Sequence, residues 1–206
     1  MSDVAQKIVE LEGYYGKAPA AEVFPSAPSW ELLDLSNGPI SSVPEYAIGK
    51  YAEHRPGQYT SQIYTEERNF HVGLDLIAPA GSEVHCPQDI HFYDKAYLSA
   101  EKDYGYCLLG KLVWPGFDVF ILIGHLNKKS YDLIDLKKTY KKAQRMGWVG
   151  NEKENGGWFP HIHIQLCTVK PDSCDMPGVI VKKELPDWKT IYPDPGIILG
   201  PNFRSL

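Results

Sequence analysis

Residues 161–166, His-Ile-His-Ile-Gln-Leu, restrict what this chain can form more than any other stretch. Polar and apolar residues alternate there, which is the period of a β-strand with one face in the core. The imidazoles of His161 and His163 therefore leave the same face, while the aliphatic residues between them point the other way. Two polar rings side by side on one strand face indicate a functional role, and histidine commonly serves as a metal ligand or a proton-transfer group.

The composition favours a mainly β protein. The 16 Pro and 18 Gly among 206 residues favour short strands and turns over long helices. With 43% hydrophobic residues, the chain can form one globular domain with extensions. A net charge of -5 argues against nucleic acid as a partner, and no apolar run is long enough for a membrane span.

Strand-like segments alternate with turn signals through the middle of the chain. They predict a mainly β fold with minor α content, built as an antiparallel sheet or a β-sandwich-like domain. One internal helix is predicted over residues 132–145. The predicted strands cover residues 73–77, 83–86, 90–95, 107–113, 117–123 and 161–168.

The flanking regions are expected to be extensions of this domain. Residues 1–60 predict a short amphipathic helix followed by an irregular arm. Residues 61–170 form the expected domain, and residues 171–206 form a proline-rich extension without long regular elements.

The N-terminus lacks the apolar run of a signal peptide, so we expect a cytoplasmic protein, with export by another route left open. The four cysteines show no CxxC spacing, and reduced thiols are the default without an export signal. Whether Cys167 and Cys174 form a disulfide is left open.

Two further polar sites accompany the histidine pair. His71 and Asp75 lie four residues apart, and His125 ends the apolar run before it. In a straight strand His71 and Asp75 would lie roughly 13 Å apart, at about 3.3 Å per residue. Because a shared zinc ion needs its ligand atoms at about 2.0–2.2 Å, the chain must bend between them. We expect Gly73 to permit that bend.

Two histidines, one carboxylate and water are a common catalytic zinc arrangement. A single strand histidine is more often an ordinary half-buried residue, which is how we interpret His54, His85 and His91. Three polar sites in this order, each at a strand end, favour a metal centre over chance.

These motifs resemble the LytM/lysostaphin-type zinc peptidases, peptidase family M23. The family pattern is H-x-x-x-D, then a GHL-like motif, then H-x-H, and residues 71–75, 124–126 and 161–163 carry it here. The turn Ala-Pro-Ala-Gly at residues 78–81 and the glycine-containing segment 146–151 are also similar. Together the likeness covers about residues 68–168. Residues 155–161, 177–179, 193–195 and 199–200 further resemble a subgroup that is often fused to class III aminotransferases.

The resemblance implies one Zn²⁺ per chain, held by His71, Asp75 and His163. It implies that His125 and His161 are catalytic histidines that do not bind the metal, and leaves open which is the general base. The implied activity is that of a zinc metalloendopeptidase, in which metal-activated water attacks a peptide bond. The implied partner is a peptide or peptidoglycan-like substrate, with bacterial cell-wall cross-links as the expected case.

Two other functions stay open at this point. One is a non-catalytic binding or regulatory module on the same fold, and the other is an intracellular amide hydrolase. The complete set of histidines and aspartate favours an active enzyme, because buried imidazoles and carboxylates need partners. The missing export signal weakens the expectation of a cell-wall substrate more than it weakens the expectation of zinc chemistry. The sequence gives neither the oligomeric state nor whether residues 16–60 act as an inhibitory arm over the groove.

Overall fold

A computed structural model describes residues 3–17, 20–63, 68–181, 183 and 187–204. The described chain is mainly β with a few short helices, so the predicted fold class is confirmed. The helices are α1 (Asp3–Tyr15), α2 (Lys128–Leu133), α3 (Trp188–Ile191) and α4 (Gly196–Leu199), with a 3₁₀ turn over Pro201–Phe203. The strands are β1 (Glu31–Leu33), β2 (Ala47–Gly49), β3 (Phe70–His71), β4 (Leu74–Ile77), β5 (Glu83–His85), β6 (Ile90–Leu98), β7 (Gly105–Leu112), β8 (Phe120–Leu126), β9 (Thr139–Tyr140), β10 (Arg145–Trp148), β11 (His161–Cys167) and β12 (Val179–Ile180).

Eight strands form one large sheet in the order β1-β2-β4-β11-β8-β7-β6-β9. All neighbours in it are antiparallel except β1 and β2, so the sheet is mixed. Strands β5 and β10 form a two-stranded ribbon, and β3 and β12 form another. All six strands predicted from the sequence are present, with ends shifted by at most three residues.

The three strands that carry the predicted site lie inside the sheet. Every residue of β4, β8 and β11 is buried. Ile162, Ile164 and Leu166 belong to the main hydrophobic core, as the alternation predicts. The opposite face of β11 is also buried, although it carries His161, His163 and Gln165. Buried polar side chains need partners, and the site supplies them.

Helix α1 packs on the core through one stripe. Leu11 is fully buried, Tyr15 is buried and Ile8 packs against the same cluster, which is the i, i+3, i+7 spacing of a helix face. Val9 lies off that stripe and is exposed. None of the helices in the described ranges is both long enough and apolar enough to cross a bilayer.

The helix predicted over residues 132–145 is wrong. Helix α2 begins earlier, where the Asn127 side chain accepts a hydrogen bond from the Ser130 N–H, and it ends at Leu133. Strand β9 then pairs with β6, and the buried Tyr140 ring lies 5.6 Å from that of Phe92. Strand β10 pairs with β5. Sheet pairing and aromatic burial outweigh the helix propensity of this lysine-rich segment.

The arm before residue 61 is more ordered than the sequence predicts. Strands β1 and β2 add to the large sheet, and β2 pairs with β4 so that Gly49 lies opposite Asp75. Beyond residue 170, the described residues form only short elements, none longer than four residues. The arm therefore shares a sheet with the site and does not merely lie over the surface.

All four cysteines are free and buried. The thiol of Cys174 is in hydrogen-bond contact with Cys107. The pairing of Cys167 with Cys174 that the sequence left open is absent from this structure.

Candidate metal centre

The register of β4 and β11 brings Asp75 and His163 together. The two residues are direct cross-strand partners, and His161 lies opposite Ile77. Side chains at directly opposite positions lie close enough to touch. Accordingly, His163 Nδ1 lies 3.0 Å from Asp75 Oδ1.

His71 reaches the same point because the chain bends after β3. His71 belongs to the small ribbon and Asp75 to the large sheet, with the bend at Gly73 between them. His71 Nε2 lies 3.2 Å from His163 Nδ1 and 3.4 Å from Asp75 Oδ1. The expected bend is therefore present, and the i to i+4 pair converges.

Gly73 is needed for space and not for an unusual backbone angle. Its φ does not lie in the left-handed region. A Cβ atom at this position would lie 2.3 Å from His163 Cε1 and 2.8 Å from the Ile164 carbonyl oxygen. A side chain here would therefore collide with the imidazole that completes the cluster.

The three side chains fit a tetrahedral zinc ion. Zinc bonds of about 2.0–2.1 Å at tetrahedral angles place the ligand atoms about 3.3 Å from one another. The separations within His71, Asp75 and His163 are 3.0, 3.2 and 3.4 Å. Within the described part of the chain, no other group of His, Cys, Asp or Glu side chains meets in this way.

The outer partners of the two imidazoles set their tautomers. His71 Nδ1–H donates to the Lys50 carbonyl oxygen at 2.9 Å, and His163 Nε2–H donates to Gln165 Oε1 at 3.1 Å. The opposite nitrogens then carry lone pairs and face the Asp75 carboxylate. Three acceptor atoms in contact repel one another unless a cation or a proton lies between them, so the donor set favours a cation.

The charge states are those that metal ligands require. Burial lowers the pKa of His71 to about 4, and the Arg55 guanidinium acts in the same direction. Burial alone would raise the pKa of Asp75, but His71 and Arg55 outweigh it and hold that pKa well below its usual range. At neutral pH the imidazole of His71 is neutral and Asp75 is ionised.

His125 and His161 lie beside this cluster without joining it. Their ring centroids are 4.2 Å apart, and His161 Nε2 lies 3.8 Å from Asp75 Oδ1. His125 Nδ1–H donates to the Asn155 carbonyl at 3.0 Å, and His161 Nδ1–H donates to the Phe159 carbonyl at 2.7 Å. Burial lowers the pKa of both rings. Each therefore presents a neutral ring with an unprotonated Nε2.

His125 has a backbone φ of 65°, in the left-handed region that few residues other than glycine adopt. Such strain persists where the surrounding structure enforces it, often at functional sites. Here the enforcing contacts are backbone hydrogen bonds, from His125 N–H to the Tyr104 carbonyl and from Gly150 N–H to the His125 carbonyl.

The five side chains predicted from the sequence thus meet in one place, while their roles stay predictions. They open into a groove of about 430 Å³. Its lining includes aliphatic residues of the arm, among them Leu35, Ile40 and Val43, and the aromatic residues Trp158 and Phe159.

The residues that hold the proposed ligands in place were not predicted from the sequence. The contact of Gln165 with His163 could have been predicted, since Gln165 lies two residues after His163 and so shares its strand face. No sequence pattern pointed to Lys50 or Arg55, because they lie in the segment that we interpreted as an irregular arm. Asn155 acts through its main chain, which no side-chain pattern reveals.

Comparisons with known proteins give only distant likenesses. No protein-family model and no curated protein sequence matches the chain. The catalytic domain of the antimicrobial peptidase lysostaphin from Staphylococcus simulans is 14% identical, covers 68% of this chain and 91% of its own, and has a TM-score of 0.45. The catalytic domain of prophage-encoded M23 protein EnpA from Enterococcus faecalis, as a point mutant, is 19% identical over 69% and 92% of the two chains, at a TM-score of 0.46.

A zinc containing peptidase from Vibrio cholerae is 17% identical, over 71% of this chain and 36% of its own, with a TM-score of 0.40. The structural neighbours thus include M23 peptidase domains. Identities and TM-scores this low transfer no residue's role to this chain. The finer resemblance to the aminotransferase-linked subgroup stays a prediction, since none of these structures tests it.

Proposed function

We propose that this protein is a zinc-dependent peptidase whose single Zn²⁺ is held by His71, Asp75 and His163. One observation supports this most: three buried acceptor atoms lie 3.0–3.4 Å apart, and the hydrogen bonds on the far sides of both imidazoles turn the lone pairs inward. A structural cluster without an ion would gain nothing from that arrangement.

The bound ion would supply Lewis acidity, polarising a substrate carbonyl and making water acidic enough to attack near neutral pH. The chain's own residues would handle the proton. A neutral ring at His125 or His161 takes a proton at Nε2 from the attacking water and returns it to the leaving amine. Main-chain carbonyls hold both rings through Nδ1–H, so these Nε2 atoms stay on the groove side.

The groove supports a peptide as substrate. Its lining combines the five side chains with aliphatic residues of the arm and the aromatic pair before His161. Apolar and aromatic side chains around a few polar groups are the usual lining of a substrate site, and here they can contact the side chains of a peptide. Peptide cross-links of peptidoglycan are the specific substrate we propose, on the strength of the sequence motifs alone.

The proposal is tested by hydrolysis of purified peptidoglycan, a peptide panel and small N-acyl amides. Wild-type protein is compared before and after chelator treatment and after zinc is returned. We expect peptide-bond cleavage that disappears with the chelator and returns with zinc. His85→Ala serves as a control, since that strand histidine bonds to the Ala143 carbonyl outside the groove.

Cleavage that survives complete metal removal would contradict the zinc mechanism. Zinc-loaded, folded protein that cleaves no peptide or cross-link would contradict the peptidase. In that case, binding without cleavage would favour the regulatory module, and cleavage of small amides alone would favour the amide hydrolase.

Gly73→Ala is expected to weaken zinc binding by roughly 10-fold or more, because the added methyl group displaces the His163 ring. Disturbing the surroundings of a metal ligand typically lowers metal affinity by about 10–100-fold. Competition against a chromophoric chelator measures the affinity. Gly13→Ala is the matched control, since a Cβ there meets no atom within 4 Å. Equal zinc affinity in the Gly73 and Gly13 variants would show that the ring does not need this space.

A further inference from the structure

We propose that Arg55 is a positioning residue of the metal centre, which binds the outer oxygen of Asp75 so that only the inner oxygen faces the ion. This inference rests on the proposed zinc site and deepens it. Arg55 Nη1 donates to Asp75 Oδ2 at 2.6 Å. The other oxygen, Oδ1, is the one that lies within 3.0–3.4 Å of the His163 and His71 nitrogens. The two oxygens of one carboxylate therefore have separate tasks.

Arg55 is itself fixed on several sides. Its Nε donates to Glu53 Oε2 at 2.9 Å, its Nη2 to the Lys50 carbonyl at 3.3 Å and its Nη1 also to the Tyr59 hydroxyl at 3.3 Å. Arg55 and Glu53 are only 4% and 6% exposed. A buried cation between two buried carboxylates has little freedom, since each displacement leaves a charge unpaired.

The geometry of guanidinium explains why arginine suits this position. Its planar fork carries donors in fixed directions, so one side chain binds Glu53 and Asp75 at the same time. A lysine ammonium keeps the charge but is a single point on a flexible stem. Gly49 leaves the room that the fork needs, because a Cβ there would lie 2.8 Å from Arg55 Nη2 and 3.1 Å from Asp75 Cβ.

Holding Oδ2 away from the ion has a chemical consequence. A carboxylate that binds zinc through one oxygen occupies one coordination position, and one that binds through both occupies more of the shell. A catalytic zinc ion needs three protein ligands and an open position for water or substrate. Arg55 therefore preserves the open position, and it also withdraws electron density from Asp75.

The same segment of the arm holds a second ligand. The Lys50 carbonyl accepts from His71 Nδ1–H, and the Arg55 guanidinium binds Asp75. Glu53 connects Arg55 to the groove wall, since it accepts from Arg55 Nε through Oε2 and from the Leu35 N–H through Oε1 at 3.0 Å. Residues 50–55 thus hold two of the three proposed ligands. This part of the arm therefore belongs to the proposed metal centre.

Arg55→Lys tests the inference by two readouts that a merely structural ion pair would not move. The first is zinc affinity by chelator competition, where we expect a loss of about 10–100-fold, the range typical of outer-shell partners. The second is the visible spectrum of the Co²⁺-substituted protein, which we expect to change because Asp75 is free to bind through both oxygens. The matched control is Arg145→Lys, in an exposed ion pair with Glu83. Near-UV circular dichroism checks that each variant is folded.

Unchanged zinc affinity and an unchanged Co²⁺ spectrum in folded Arg55→Lys would overturn the positioning role, as would tighter zinc binding. If that variant does not fold, a crystal structure of the zinc-loaded wild type decides. Asp75 bound through Oδ1 alone, with Arg55 on Oδ2, supports the inference, and both oxygens on the ion overturn it. Failure of the proposed zinc site can be told apart from failure of this inference, because in the first case the wild type itself would bind no zinc.

Discussion

Purified His163→Ala is expected to contain no stoichiometric zinc and to show no peptidase activity. His163 Nδ1 lies 3.0 Å from Asp75 Oδ1 and 3.2 Å from His71 Nε2, so it takes part in two of the three contacts between the proposed ligands. Loss of a direct ligand should weaken zinc by more than about 100-fold, since loss of an outer partner alone costs about 10–100-fold. Elemental analysis of the dialysed protein measures the bound metal.

His85→Ala is the matched control for this substitution. It makes the same chemical change at a strand histidine whose hydrogen bonds go to Ala143 and Glu83, outside the cluster. We expect its zinc content and activity to equal those of the wild type. One zinc per chain in folded His163→Ala would contradict the ligand assignment, and the ion would then have to bind elsewhere.

His125→Asn is expected to keep its zinc and to lose turnover by about 10²–10⁴-fold, the usual contribution of a general acid or base. The ring centroid lies 4.2 Å from that of His161 and 6.4 Å from that of His163, and the ring bonds to the Asn155 carbonyl. His125 is not one of the three residues whose ligand atoms converge. Asparagine is chosen because it tolerates the left-handed backbone that His125 adopts. The measurement pairs single-turnover rates with zinc content for each variant.

The paired variant is His161→Asn, which separates the two histidines. A larger loss of rate in one variant, at equal zinc content, identifies the histidine that contributes more to turnover. Full activity in folded His125→Asn would remove that residue from the mechanism. Loss of zinc from the same variant would show that it belongs to the ligand set and not beside it.

Most of the site was predictable because strand periodicity carries it. The alternation at residues 161–166 gives both the strand and the shared face of His161 and His163, and the structure has both. The distance argument for His71 and Asp75 required a bend, and the chain bends between β3 and β4. The bend expected at Gly73 is present, and the glycine also provides room for the His163 ring.

What the sequence could not predict depends on contacts between distant segments. The predicted helix over residues 132–145 failed because Tyr140 is buried against Phe92 and β9 pairs with β6, which no local propensity records. Strand periodicity treats His161 and His163 alike, and only the family resemblance singled out His163 as the proposed ligand; in the structure His163 lies opposite Asp75.

The arm illustrates the same limit. Its composition of scattered proline, serine and glycine is typical of irregular chain, and most of it is irregular. Nothing local marks Lys50 or Arg55 as neighbours of residues 71 and 75. Their contacts arise because β2 is the sheet neighbour of β4, and strand order in a sheet is set by the whole fold.

The central claim is that three side chains converge on one divalent cation, and zinc stoichiometry tests it most directly. Wild-type protein is stripped with chelator, titrated with zinc and followed by elemental analysis or calorimetry. We predict one tightly bound equivalent per chain, absent from His163→Ala. A folded wild-type protein that binds no zinc, or binds the same amount after His163 is removed, would contradict the account.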